Sequence, residues 1–303
     1  MIQFIKSLLR KSKYIRDLSD ERAQKHGVFP PGHYNSPIPN QDEVLAYLNS
    51  RKPRELDLPD VDLRGADEAA LLHDYRRFYG ELPFPEKRTQ GCRYYYDNVW
   101  YSYADAIFLY SFLRKNLPRR IIEIGSGFSS AVMLDTIEKF FPFRPEITFI
   151  EPRPDRLNEL LTPQDRGLVR IVEKSIQEVP LEYFSTLESG DLLFIDSSHV
   201  VKCGSDLHVL MFDVLPYLPA GIYVHFHDVF YPFDYPPEWL KKGRYYNENY
   251  FLRSFLSYNQ DWSVYFFNAY VAFAHGDVIA RDMPLCARNP GGSLYLRRNA
   301  KSR

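Results

Sequence analysis

Two carboxylates and two imidazoles follow short apolar runs in this sequence. Asp196 ends the run LLFI and His199 stands three residues later, while His227 and Asp228 end the run IYVHF. Carboxylates beside imidazoles are the residue types that accept a proton from a reacting group near neutral pH. The same four side chains also suit a divalent ion. For either chemistry they must converge. In an open α/β sheet, ligands bind beyond the carboxyl ends of the strands, so two acid-bearing strand ends lying side by side would bring Asp196, His199, His227 and Asp228 around one cavity.

A second constellation lies earlier, in IIEIGSGFSS. Here Gly125, Ser126 and Gly127 follow an apolar run and precede a helical pattern, and glycine at such a turn lets a ligand approach the backbone. The acid Glu151 follows Gly127 by 24 positions (151 − 127). That is close to the roughly 20-residue spacing at which a carboxylate meets ribose hydroxyls. Charge bears on the cofactor. Glu123 stands two residues before Gly125, and a pyrophosphate, which seeks anion-attracting amides, would be repelled there. A sulfonium and an ammonium would be attracted. Ser130 also replaces the third glycine of the dinucleotide fingerprint. S-Adenosylmethionine is therefore favoured over NAD, with an NAD-binding oxidoreductase as the alternative.

The elements that must position these residues are legible as buried strands alternating with helices. Strands are expected at Ile121–Ile124, Ile147–Ile150, Val169–Val172, Leu192–Ile195 and Ile222–Phe226, with helical crossovers at Ser129–Phe140, Asp155–Leu161, Leu181–Leu187 and Ser205–Leu218. Val264–Phe267 and Leu294–Arg297, separated by a helical stretch Ala269–Arg281, bring the sheet to seven strands. The fold class is α/β, a doubly wound, Rossmann-like, mostly parallel sheet. Before it, the connector GVFPPGHYNSPIP (27–39) and helical patterns after Asn40 and over Glu68 to Tyr79 read as an N-terminal helical appendage over 1–90, leaving 91–303 for the sheet domain. Residues 1–20 carry a rough apolar stripe with Lys6, Arg10, Lys11, Lys13 and Arg16, the pattern of a helix packed on the body or lying on an anionic membrane.

The motifs E-x-G-x-G after the first strand, an acid ending the second, and DLLFID at the fourth resemble those of class I S-adenosylmethionine-dependent methyltransferases. FIDSSHV, LPAG and HFHDVFYP are similar to a bacterial methyltransferase-domain family. The resemblance implies that Glu123, Gly125, Ser126 and Gly127 line the methionine part of the cofactor, Glu151 its ribose, and Ser175 with Ile176 its adenine, Ser175 standing where the family often has an acid. In the metal-dependent O-methyltransferases, residues at the places of Asp196, His227 and Asp228 hold magnesium and a base stands at that of His199. His227 departs from the acid found there, and imidazole suits zinc, manganese or iron better than magnesium. Aromatic residues after Asp228 (Tyr231, Tyr235, Trp239, Tyr245, Tyr246) and before the sheet (Tyr94, Tyr95, Tyr96, Trp100, Tyr101, Tyr103) are expected either to pack or to wall an acceptor site.

Composition narrows the alternatives. The 303 residues carry 38 basic and 39 acidic side chains, a net charge of −1, which offers no footprint for nucleic acid. The three cysteines are widely spaced and suggest neither a disulfide framework nor a thiolate zinc site. No run reaches the ~20 apolar residues of a membrane span. The expected protein is cytoplasmic and soluble, an O-methyltransferase of a small-molecule or glycan hydroxyl. A metal-dependent hydroxylase-like enzyme of the same fold and a non-catalytic partner protein are the further alternatives.

Overall fold

The computed structural model describes residues 27–50, 58–63 and 68–300. The basic stretch at 1–20 lies outside the described residues. Seven strands form one sheet: β1 (Arg120–Ile124), β2 (Glu146–Ile150), β3 (Arg170–Val172), β4 (Leu192–Ile195), β5 (Tyr223–Phe226), β6 (Trp262–Phe267) and β7 (Leu294–Arg298). Their order across the sheet is β3-β2-β1-β4-β5-β7-β6. The first five pair in parallel, and β7 runs antiparallel to both β5 and β6. The seven-stranded, doubly wound sheet expected from the sequence is the one observed.

Burial on both faces explains why the central strands are continuous apolar runs. Ile122, Leu193, Ile195, Val224 and Phe226 enter one hydrophobic cluster, and Ile121, Leu192, Phe194 and Tyr223 enter the other, as the two-residue period of a strand requires. Each fully buried Phe contributes about 1.5–3 kcal/mol by leaving water. The second face is aromatic, with Tyr75, Phe108, Phe112, Phe149 and Phe266. Two polar residues share that face, Glu123 on β1 and His225 on β5, both fully buried. The His225 ring stacks on Phe194, the neighbour it pairs with on β4, at 3.8 Å between centroids.

Two compact units are present. In the smaller, described residues 27–50 join Pro236–Tyr245. Its helix Gln41–Ser50 begins after Asn40, whose Oδ1 accepts from the Asp42 N–H at 2.8 Å, and Gln41 Nε2 donates to the Lys241 carbonyl at 2.9 Å. The boundary expected at residue 90 is therefore corrected. The helix Glu68–Tyr79 belongs to the larger unit, because its Leu71, Leu72 and Tyr75 are buried in the same cluster as the helix Ala104–Asn116. The crossover expected as one helix over Ser205–Leu218 is also corrected. It runs as an α turn (Asp206–Val209), a wide π turn (Leu210–Val214) and a tight 3-10 turn (Leu215–Tyr217). Pro216, with no N–H to donate, stops a regular helix there. Among the described residues no helix is long and apolar enough to cross a membrane.

Candidate active site

The tips of β1 and β4 meet at Gly125. Its φ is +79°, and a Cβ built there would lie 1.7 Å from the Asp196 carbonyl oxygen. Only glycine allows this approach. Gly127 starts the helix Phe128–Phe140, and its N–H donates to Ser130 Oγ at 2.9 Å. Glu151, at the end of β2, turns toward the same loop. Its carboxylate accepts from the Ser126 N–H at 3.2 Å and from the Arg153 N–H at 2.8 Å.

Glu123 corrects one expectation. It is fully buried and accepts from the hydroxyls of Ser129 and Ser130, so its carboxylate is turned into the start of the helix rather than toward a ligand. Burial raises its pKa to about 8 against the opposing hydroxyl bonds. The negative charge available at the loop comes instead from Glu151 and Asp196. Ser175, expected at the adenine, donates to Glu178 Oε2 at 2.6 Å and caps the turn Ile176–Glu178, while Ile176 is buried in the core.

Asp196, His199, His227 and Asp228 come together at the ends of β4 and β5. His199 Nε2 lies 3.6 Å from Asp196 Oδ1 and 3.4 Å from Asp228 Oδ2. His227 Nδ1 lies 3.3 Å from Asp196 Oδ1 and 3.9 Å from Asp228 Oδ1. Two further carboxylates, not anticipated from the sequence, close the cluster from outside. Glu248 Oε2 is 2.8 Å from His199 Nδ1, and Asp105 Oδ2 is 3.5 Å from His227 Nε2. Asp105 is held by the Gly292 N–H at 3.0 Å, Ser293 Oγ at 2.6 Å and Asn268 Nδ2 at 3.1 Å. His199 and Asp228 both adopt φ of +58°. Non-glycine residues in that region are uncommon and concentrate where a site holds them there.

The electrostatics follow from this packing. Burial alone lowers an imidazole pKa, but the bond and charge of Glu248, followed by Asp196 and Asp228, outweigh it and raise His199 to about 9. His227 is pushed well up against burial by Asp228, Asp196 and Asp105. Asp196 falls below the usual carboxylate range despite burial, held by His227, His199 and Arg156. His225, one turn of the pleat below His227, is driven the other way by burial and by the charge of His227, and stays neutral.

The metal set expected at Asp196, His227 and Asp228 is a correction. Among the described residues no group of three or more His, Cys, Asp or Glu side chains is placed to hold a metal ion. His227 lies between carboxylates on both ring nitrogens, Asp105 at 3.5 Å and Asp196 at 3.3 Å. The aromatic segments divide in the same way between packing and the site. Tyr94, Tyr96 and Tyr101 are core residues, although the Tyr101 ring lies 4.9 Å from His227. Trp100 is exposed under the Arg156 guanidinium at 3.6 Å, and Tyr246 lies 5.3 Å from the His199 ring. Trp239 and Tyr245 fall in the smaller unit.

A family model described as a methyltransferase domain matches residues 122–229, from within β1 to the residue after Asp228. An uncharacterized protein of Archaeoglobus fulgidus is 33% identical over 200 residues, 63% of this chain and 85% of that relative. The chain belongs to the methyltransferase-domain family. It is a class I S-adenosylmethionine-dependent methyltransferase, which sets aside the NAD-binding alternative. Among solved structures, the methyltransferase PaMTH1 of Podospora anserina bound to S-adenosylhomocysteine is 17% identical, covering 86% of this chain and 95% of that one, with a TM-score of 0.41. The O-methyltransferase TomG of Streptomyces achromogenes, in complex with S-adenosylmethionine, is 15% identical over 86% and 97%, with a TM-score of 0.40. The donor set of this methyltransferase fits the cofactor by its chemistry. Carboxylates of Glu151 and Asp196 stand at a glycine turn, which suits ribose hydroxyls and a cationic methionine part.

Proposed function

We propose that this methyltransferase transfers a methyl group to a hydroxyl of a small molecule or glycan, with His199 as the proton acceptor. The observation that supports this reading is the convergence of two imidazoles and two carboxylates at the ends of β4 and β5, with His199 Nε2 within 3.6 Å of both Asp196 and Asp228. Gly125, Ser126 and Gly127 would cradle the methionine part of the cofactor, Glu151 the ribose, and the Ser175–Ile176 turn the adenine. S-Adenosylmethionine, when bound, supplies an electrophilic methyl on a sulfonium.

The chain's own part is to hold the acceptor hydroxyl in line and to relieve it of its proton as the carbon–oxygen bond forms. His199 can do the second, once it is neutral. Its proton is retained by Asp196, Asp228 and Glu248. His227, fixed between Asp105 and Asp196, stays charged and holds Asp196 ionised. No step here runs through a metal ion.

The test is a screen of sugar, phenol and polyketide acceptors with labelled methyl donor, followed by His199→Gln on any acceptor that turns over. Turnover should fall about 10²–10⁴-fold, the usual contribution of a general base, with affinity for S-adenosylhomocysteine kept. Full turnover by the variant would exclude His199 as the base.

A further inference from the structure

We propose that Glu248 is the positioning residue of the site, fixing the His199 ring so that Nε2 faces the reacting hydroxyl. This rests on the reading of His199 as proton acceptor. Glu248 is almost wholly buried, at 1% exposure, on the first turn of the helix Glu248–Leu256. Its Oε2 meets His199 Nδ1 at 2.8 Å, and its Oε1 has no hydrogen-bond partner among the described residues. A buried carboxylate that spends one oxygen on a single imidazole and leaves the other unbonded is costly to the fold. Its presence is explained by what it does to that imidazole. A ring bonded through Nδ1–H to a carboxylate keeps that proton, so exchange with a substrate falls to Nε2, the nitrogen that already faces Asp196 and Asp228.

The backbone is fixed by the same segment. The His199 carbonyl accepts from the N–H groups of Asn247 at 3.2 Å and Glu248 at 3.3 Å. Asn247 also brackets Val201, accepting from its N–H at 2.6 Å and donating to its carbonyl at 3.1 Å. The loop after β4 is thereby tied to the start of the helix at His199 and Val201, and His199 is kept at its positive φ. Glu248 works as the side-chain member of this tie. Asp105 faces His227 from the other side but bonds three further donors, which makes it part of the scaffold around β7.

The experiment uses the full chain labelled with 15N-histidine, with S-adenosylhomocysteine as the ligand probe. The wild type should show a far-downfield imidazole N–H proton protected from exchange, assigned to His199 by its loss in His199→Gln. It should vanish in Glu248→Ala and move upfield in Glu248→Gln, with S-adenosylhomocysteine affinity within about twofold of wild type, because a positioning residue leaves ground-state binding alone. If Glu248→Ala does not fold, the isosteric Gln variant carries the test. A signal unchanged in a folded variant overturns the proposal, and so does affinity lost in step with the signal, which would make Glu248 general scaffold. Failure of the wild type to bind the probe, with the protected proton present, would instead refute the cofactor assignment and leave the Glu248–His199 pairing standing.

Discussion

Replacing Gly125 by Ala tests whether the β1–β4 junction is the fixed point of the cofactor site. The new Cβ would sit 1.7 Å from the carbonyl oxygen of Asp196 and 2.8 Å from its carbonyl carbon, both backbone atoms, at a φ of +79°. Forcing an L side chain into the left-handed region costs about 1–2 kcal/mol, and overpacking a tight contact about 1–3 kcal/mol. Neither atom can swing away as a side chain would. The oxygen must retreat by more than an ångström, although Asp196 is tied by its N–H to Ile124 O at 2.8 Å and Gly125 by its own to Ile150 O at 3.1 Å. A loss of roughly 2–5 kcal/mol follows, or a fall in Tm of roughly 4–10 °C for a chain of this size. Calorimetry with S-adenosylhomocysteine should show affinity falling as Asp196 is displaced. Gly127→Ala is the control. Its φ of 175° is extended backbone, and its Cβ would meet only the flexible Arg156 Cδ at 3.3 Å, so a change below about 1 kcal/mol is expected. Equal stability of the two variants would refute the reasoning.

Glu151→Ala should weaken S-adenosylhomocysteine binding by about 1–3 kcal/mol, the value of charged hydrogen bonds to the ribose hydroxyls, read by titration calorimetry; unchanged affinity would remove Glu151 from the ribose. Because His199 is raised to about 9, turnover should rise with pH through the neutral range and level off above that value, and a pH–rate profile flat from 6 to 9 would contradict a base of that kind. Turnover should survive treatment with a chelator, since no metal-binding group is formed among the described residues; loss of activity restored by one divalent ion would show that Asp196, His227 and Asp228 close on a cation after all.

The strands and the four strand-end residues were legible because parallel strands buried on both faces read as uninterrupted apolar runs. Their ends then fall at fixed places. Each of the first five strands starts and stops within one residue of its expected bounds. Glu248 and Asp105 were missed because partnership across 49 and 122 positions leaves no local spacing to find. Asp105 did leave a sign, a carboxylate inside the mostly apolar run ADAIFLYSFL, the part of its helix that is buried throughout. The role of Glu123 was misjudged for a related reason. Its strand position was clear, but which donors its carboxylate would meet depended on the hydroxyls of Ser129 and Ser130 in the helix that follows. Helical periodicity over Glu68 to Tyr79 told that one face was buried without telling against what.

The place of β7 between β5 and β6 carries a consequence for how the protein is made. β5 bears His227 and Asp228 at its tip, yet its outer neighbour is the seventh strand of the sheet in chain order, made after all the others. The turn leading into that strand supplies the Gly292 carbonyl to the Val229 N–H at 2.8 Å, and the Gly292 and Ser293 donors that hold Asp105. A nascent chain that has reached Phe267 already contains all the acids and imidazoles of the cluster, but β5 is still an open edge and Asp105 is still unanchored. Competence therefore arrives late and all at once during synthesis. Stalled or C-terminally clipped products should carry the residues of the site without its geometry, and their exposed β5 edge makes them the species for quality control to remove.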